Sequence, residues 1–156
     1  MAANAAAADT ESPERVMRAL YDVISGPAER THPRDWARFA ALCTPDARFR
    51  MVRSAGEGEE EVTGDWDVAS FRAEAQQAWA ESGFWERETW SRTDRFGNVA
   101  QVFSTFESRV VTEDSAPAAR GINSFQLVRQ QGRWRVFSTI WDIERSDQPI
   151  PAQYLP

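Results

Sequence analysis

Apolar residues recur along this chain with two different periods, and the change of period divides it. Over the first half they return every three or four positions, the spacing of one helix face; from Phe84 onward β-branched and aromatic residues alternate with polar ones. The first helix opens at Ser12-Pro13-Glu14-Arg15, with Ser12 as cap and Pro13 at the first helical position. Val16, Leu20, Val23 and Ile24 mark its apolar face, and Gly26-Pro27 ends it. Asp35 caps a second helix striped by Trp36, Phe39, Ala40 and Leu42, which Pro45 closes. Ala47 to Val52 alternates Phe49 and Met51 with Arg48 and Arg50, a short strand that runs into a solvated acidic loop over 56–61. A third helix, capped by Asp65 or Asp67, carries Val68, Phe71, Ala75, Ala78 and Trp79 and stops near Gly83. Turn signals at Phe96-Gly97-Asn98, Asp114 to Pro117 and Gln131-Gly132 then cut the remainder into four strands. Three prolines in 148–156 predict an extended strap rather than a strand. Residues 1–12, half of them alanine, are expected to be a disordered tail, which leaves 13–147 as one domain.

Composition narrows the function classes. At 156 residues the chain suits a single core, which at this size buries on the order of 70% of the unfolded surface without disulfide or metal. The single cysteine, Cys43, forms no internal bridge, and a reducing cytoplasmic setting is the simplest expectation. Every one of the 18 basic residues is arginine, against 24 acids, and the net charge of −6 argues against nucleic acid. No apolar run approaches the roughly 18 residues that cross a bilayer, so no membrane partner is expected. With one His and one Cys there is no metal-ligand spacing, and the acids after Gly56-Glu57-Gly58 would repel a phosphate. No cofactor and no metal are therefore predicted. His32, beside Pro33 in an interhelical loop, reads as exposed, and Cys43 as a core thiol.

The order helix, helix, strand, helix, four strands is an α+β arrangement. With the stretches Phe84 to Glu88, Arg95 to Glu107, Arg120 to Ser124 and Trp134 to Asp142, the chain resembles a bacterial branch of the nuclear transport factor 2-like, or SnoaL-like, superfamily, over roughly 14–144. That resemblance implies a cone-shaped curved antiparallel sheet with three helices packed on its concave side, a pocket between them, and a homodimer. The superfamily holds isomerases, dehydratases, epoxide hydrolases, polyketide cyclases and proteins without catalysis, so it names no reaction.

Strand alternation proposes which residues face the pocket. A two-residue turn at Phe96-Gly97 pairs Arg95 with Asn98 and sets Glu86 opposite Glu107, Glu88 opposite Thr105 and Trp90 opposite Phe103. A turn at Gln131-Gly132 pairs Leu127 with Val136, Phe125 with Ser138, Asn123 with Ile140 and Gly121 with Asp142. Centring the middle loop on Ser115 places Arg109 opposite Gly121 and Glu107 opposite Asn123. The pocket face then carries Glu86, Glu88, Trp90, Phe103, Thr105, Glu107, Arg109, Asn123, Phe125, Ser138, Ile140 and Asp142, with Trp36 and Phe39 at its mouth. The other face, rich in aromatics, is the expected dimer surface.

Glu86 and Glu107 side by side would have their acidities pushed apart, one donating a proton while the other accepts. The resemblance adds a parallel: epoxide hydrolases of the superfamily set an acid, an arginine and a second acid around a water, and Glu107, Arg109 and Asp142 are similar in type. Steroid isomerases of the superfamily use a tyrosine with acids; only Tyr21 and Tyr154 occur here, neither on a pocket strand. The same acids can instead form structural ion pairs with Arg87, Arg109 or Arg120. Three readings stay open: a binder of a small apolar organic molecule, a cofactor-free isomerase, dehydratase or hydrolase, and a non-catalytic dimeric interaction module.

Overall fold

The computed structural model describes residues 7–54 and 60–156. Helix α1 (Pro13–Ile24) starts as the sequence predicts: the extended Ser12 accepts a hydrogen bond from the Arg15 amide at 3.3 Å, and Pro13 needs no partner at the first helical position. Its buried stripe is wider than the apolar pattern alone, taking in Tyr21 beside Val16, Met17, Leu20 and Ile24. The loop that follows is held by Arg34, which donates from Nε to the Ile24 carbonyl at 2.6 Å and from Nη1 to Glu29 at 2.9 Å. Burial works against the Glu29 charge, but the Trp36 indole and Arg34 bonds outweigh it and keep its carboxyl below the ordinary range.

Helix α2 (Trp36–Ala41), capped by Asp35, is shorter than expected. Pro45 does not close it; the chain is already in strand β1 (Cys43–Ser54). The proline is tolerated because the ladder to the neighbouring strand is interrupted between Cys43 and Arg48, where no amide is required. A strand absent from the sequence reading, β2 (Glu60–Trp66), pairs antiparallel with β1, so the end of the expected acidic loop is strand and its remainder, 56–59, lies outside the described residues. Helix α3 (Val68–Ala78) opens with a reciprocal capping box between Asp67 and Ser70. Strands β3 (Trp85–Phe96), β4 (Val99–Arg109), β5 (Ala119–Gln130) and β6 (Arg133–Ile143) follow.

Among the described residues six strands form one curved sheet in the order β2-β1-β6-β5-β4-β3. It is not wholly antiparallel, because β1 runs parallel to β6. The helices cover the concave side, where Phe71 stacks on Phe39 and Phe49 at 5.3 and 4.9 Å and Trp66 stacks on Trp141 at 5.9 Å. Among the described residues no helix is long and apolar enough to cross a membrane.

Both ends of the described chain are tied down. The described part of the expected tail is packed rather than free: Arg38 Nε donates to Asp9 at 2.8 Å and the Trp134 amide to the Thr10 carbonyl at 2.8 Å. Residues 1–6 of that segment lie outside the described residues. At the other end the strap crosses the outer sheet face, with Ile150 buried and the Tyr154 ring against Trp90 and Phe103 at 5.3 and 5.0 Å. Thr105 Oγ1 donates to the Tyr154 carbonyl at 2.7 Å.

Candidate functional site

Where α1 ends against the start of β3, the two chains are clipped together. Gly26 and Phe84 exchange backbone hydrogen bonds at 2.7 and 2.9 Å, and the Glu86 amide donates to Ser25 Oγ at 3.0 Å. This fixes the first turn of β3 under α1 and leaves a cleft of about 430 Å³ between them. At its base lies a chain of polar side chains. Asn123 Nδ2 donates to the Tyr21 hydroxyl at 3.1 Å and to Glu86 Oε1 at 3.2 Å. Tyr21 and Ser104 hydroxyls lie 2.7 Å apart, and Ser104 Oγ donates to Glu88 Oε2 at 2.6 Å. Each hydroxyl has one proton, so with Ser104 spending its own on Glu88, Tyr21 donates to Ser104. The bonds therefore run in one direction, Asn123 to Tyr21 to Ser104 to Glu88, and Ser91 Oγ adds a second donor to Glu88 at 2.8 Å.

Tyr21, Ser104 and Asn123 are buried, Glu86 is half-buried and Glu88 is exposed at the mouth. Burial pushes the Glu86 carboxyl up to about 7, against the opposing bond from Asn123. Burial and the nearby Glu86 charge also hold the Tyr21 phenol well above its ordinary range, so it stays a hydrogen-bond donor. The cleft thus combines a carboxyl titrating near neutrality, a phenol that keeps its proton and a second carboxyl facing solvent.

The outer face of the sheet is arranged differently. Glu107 Oε2 accepts from Arg87 and Arg109, each at 3.0 Å. Burial raises the Glu107 carboxyl, but the bonds from Arg87 and Arg109 outweigh it and leave it below the ordinary range. Arg109 also donates from Nε to the Ser115 carbonyl at 2.7 Å, holding the β4–β5 loop. Asp142 accepts from the Ile143 amide at 2.7 Å, from Arg145 and from Gln148, which is where the strap begins.

Comparison with known proteins supplies the fold's name. No protein-family model matches the chain, and no curated protein matches its sequence. Solved structures do: a Nostoc punctiforme protein of unknown function with a cystatin-like fold superposes with a TM-score of 0.61 at 11% identity, covering 85% of this chain and 89% of that one. An NTF2-like protein of unknown function from Silicibacter pomeroyi gives 0.56 at 16% identity, over 92% and 99% of the two chains. Another NTF2-like protein of unknown function, from Pseudomonas putida, gives 0.60 at 12% identity over 92% and 93%. The chain has the NTF2-like fold. At these identities the likeness carries the NTF2-like architecture and no activity.

Within this NTF2-like sheet the single pocket face expected from the sequence is divided between two faces. The β3–β4 turn is Gly97-Asn98, one position later than expected, which leaves the faces unchanged. The decisive irregularity is a bulge at Thr89: Trp90 faces Thr105, but Glu88 faces Phe106 and Glu86 faces Ser108. The β4–β5 register is displaced as well, pairing Ser104 rather than Glu107 with Asn123. The Gln131-Gly132 turn and the Leu127–Val136 pair are as expected, but a bulge at Phe137 then pairs Phe125 with Thr139 and Asn123 with Trp141. Glu86, Glu88, Asn123 and Phe125 consequently lie on the helix side. Trp90, Phe103, Thr105, Glu107, Arg109, Ser138, Ile140 and Asp142 lie on the outer face, where Glu107 and Arg109 meet and Asp142 is engaged with Arg145 and Gln148. Of the aromatics expected outside, Phe106 and Trp141 are inside.

Trp36 and Phe39 sit in the core and border a different hollow, between α2 and α3. Tyr21 and Ser104 were missed by the strand-based argument. Tyr21 had a signal, since it falls on the α1 stripe and a buried phenol must find a partner. His32 is exposed beside Thr31, and Cys43 is buried with its thiol pushed up to about 12. Among the described residues no group of three or more His, Cys, Asp or Glu is placed to hold a metal ion.

Proposed function

We propose that the protein binds a small organic molecule in the cleft between α1 and β3. The observation that carries this reading is the buried Asn123–Tyr21–Ser104 chain at the base of an open cleft, joined to the half-buried Glu86 and to Glu88 at the mouth. Three interior polar groups joined in this way orient a guest more naturally than they strengthen a core, where apolar packing would serve as well. Met17 and Val102 supply apolar wall for the body of the molecule, and Glu86 and Glu88 receive its hydrogen-bonding group. The outer face, away from this cleft, is the proposed homodimer surface; Ile140 and Phe137 are exposed there and are large enough to favour cover.

The test is a fragment screen by protein-observed NMR with the full chain. Fragments should produce saturable shifts at Glu86, Ser104 and Asn123. Tyr21→Phe and Asn123→Ala should weaken those fragments about tenfold, because each removes an internal hydrogen bond that positions Glu86 or Glu88, while the fold is retained. A screen whose hits all fall elsewhere would remove the proposal.

A second reading, acid–base catalysis, is favoured by the setting of Glu86, whose carboxyl burial pushes up to about 7 beside a phenol that keeps its proton. A carboxyl of that acidity holds its proton about half the time at neutral pH and can give it up or take it back on a bound molecule. The activity would be cofactor-free, of isomerase, dehydratase or hydrolase type, and its rate would inflect near pH 7 in the parent and not in Glu86→Gln.

A further inference from the structure

Carboxylates withdrawn from solvent are matched with arginine throughout the described residues, with one exception. Asp9, Glu29, Glu107, Asp142 and Glu144 are wholly or partly buried, and each lies 2.8–3.4 Å from an arginine nitrogen. Glu86, the other such carboxylate among them, has no arginine beside it. Its Oε1 accepts from Asn123 at 3.2 Å, and its Oε2 has no hydrogen bond among the described residues. Burial pushes the carboxyl up to about 7, against the Asn123 bond alone. A carboxylate withdrawn from water without a counter-ion is costly, and an opposite charge placed against it relieves that cost.

The counter-ion has a way in, because Glu86 and Glu88 both line the open α1–β3 cleft. The charged groups around them do not supply it. On β3, Arg87 is turned to Glu107 at 3.0 Å. On α1, Asp22 is already held by Arg38, and Arg18, though it borders the cleft, forms no ion pair with either acid among the described residues. Glu14 from α1 and Glu113 from the β4–β5 loop add negative charge at the rim. The hydrogen-bond donors at the base are used inside the protein: both N–H groups of Asn123, the hydroxyls of Tyr21 and Ser104, and Ser25 Oγ, which donates to the Tyr21 carbonyl at 2.7 Å. What Glu86 and Glu88 offer a guest is therefore acceptor oxygen in a negative field.

We propose that the molecule bound in the α1–β3 cleft is an organic cation with N–H donors, a primary amine or a guanidinium compound, whose charged head takes against Glu86 the place that arginine takes against the other interior acids. This rests on the cleft being a binding site, as argued above, and names the class of its ligand. The head donates to Glu86 Oε2 and keeps that carboxyl ionised, while Glu88 adds attraction from the mouth. Carboxylates and phosphates are turned away by the same charges.

Benzylamine, benzyl alcohol and benzoate share a ring and differ in the charge of the head. NMR titration of each into the full chain at about pH 8, where Glu86 is mostly ionised and the amine still charged, tests the inference. Benzylamine should shift the Glu86, Ser104 and Asn123 amides saturably and bind about tenfold more tightly than benzyl alcohol, and benzoate should not bind there. Glu86→Gln should weaken benzylamine about tenfold and leave benzyl alcohol unchanged, because it keeps the shape and removes the charge. Benzyl alcohol or benzoate binding at these amides as tightly as benzylamine would overturn the cation and leave the cleft standing as a binding site. Absence of a saturable shift from benzylamine, or an equal loss of benzylamine and benzyl alcohol in Glu86→Gln, would also overturn it, and the fragment screen would then decide the cleft separately. If Glu86→Gln does not fold, the ranking of the three probes on the parent chain decides alone.

Discussion

Glu86 is the residue on which the chemistry of the cleft turns. Its carboxyl is pushed up by burial from its ordinary 4.5 to about 7. The folded protein keeps a proton that the unfolded chain has released, so this group favours folding at low pH. Its contribution is fully present below about 4.5, is lost as the pH rises to about 7, and is constant above that. The difference between parent and Glu86→Gln in urea denaturation should therefore change by roughly 3 kcal/mol across that window, with the parent losing stability as pH rises and the variant not. A difference that is flat with pH would mean that the carboxyl is solvated. Glu29, Glu107 and Glu144 act in the opposite sense, since their carboxyls are held below the ordinary range. Their stabilising contributions disappear only as the solution becomes acidic, so they do not mask the Glu86 signal.

At the scale of elements, β3 to β6 were legible and their faces were not. Alternating residues from Phe84 onward announce β3 to β6, and the caps at Ser12, Asp35 and Asp67 announce the helices. A bulge adds one residue to one strand and leaves no mark in an alternation that stays apolar on both faces. The Thr89 and Phe137 irregularities were invisible for that reason, and with them the separation of Glu86 from Glu107 and of Asn123 from Asp142. β2 was hidden because its acids read as loop, and as an edge strand it can carry charge. One glycine on β5 reports how tightly these strands are set. A Cβ at Gly121 would lie 2.3 Å from the Asp142 carbonyl oxygen and 2.8 Å from the Phe106 ring, so Gly121→Ala must displace backbone. A loss of about 2–4 kcal/mol in urea denaturation is expected, whereas an unchanged midpoint would show that β5 and β6 can part without cost.

For the whole molecule, the two sheet faces divide the work: the inner one holds the cleft and the outer one carries the strap and the exposed Ile140. Ile140→Arg should convert a dimer in sedimentation into a monomer while leaving fragment shifts in the cleft unchanged; a parent that sediments as a monomer would remove the outer-face interface. The Thr89 bulge has a bearing on how such a division can survive change. β3 has 12 residues and β4 has 11, so β3 carries slack. A codon lost between Thr89 and the turn can be absorbed by straightening the strand, and Glu86 and Glu88 keep their partners. A codon gained has no such reserve: it either deepens the kink or turns both acids out of the cleft and Arg87 into it. This strand is therefore tolerant of shortening and exposed to lengthening.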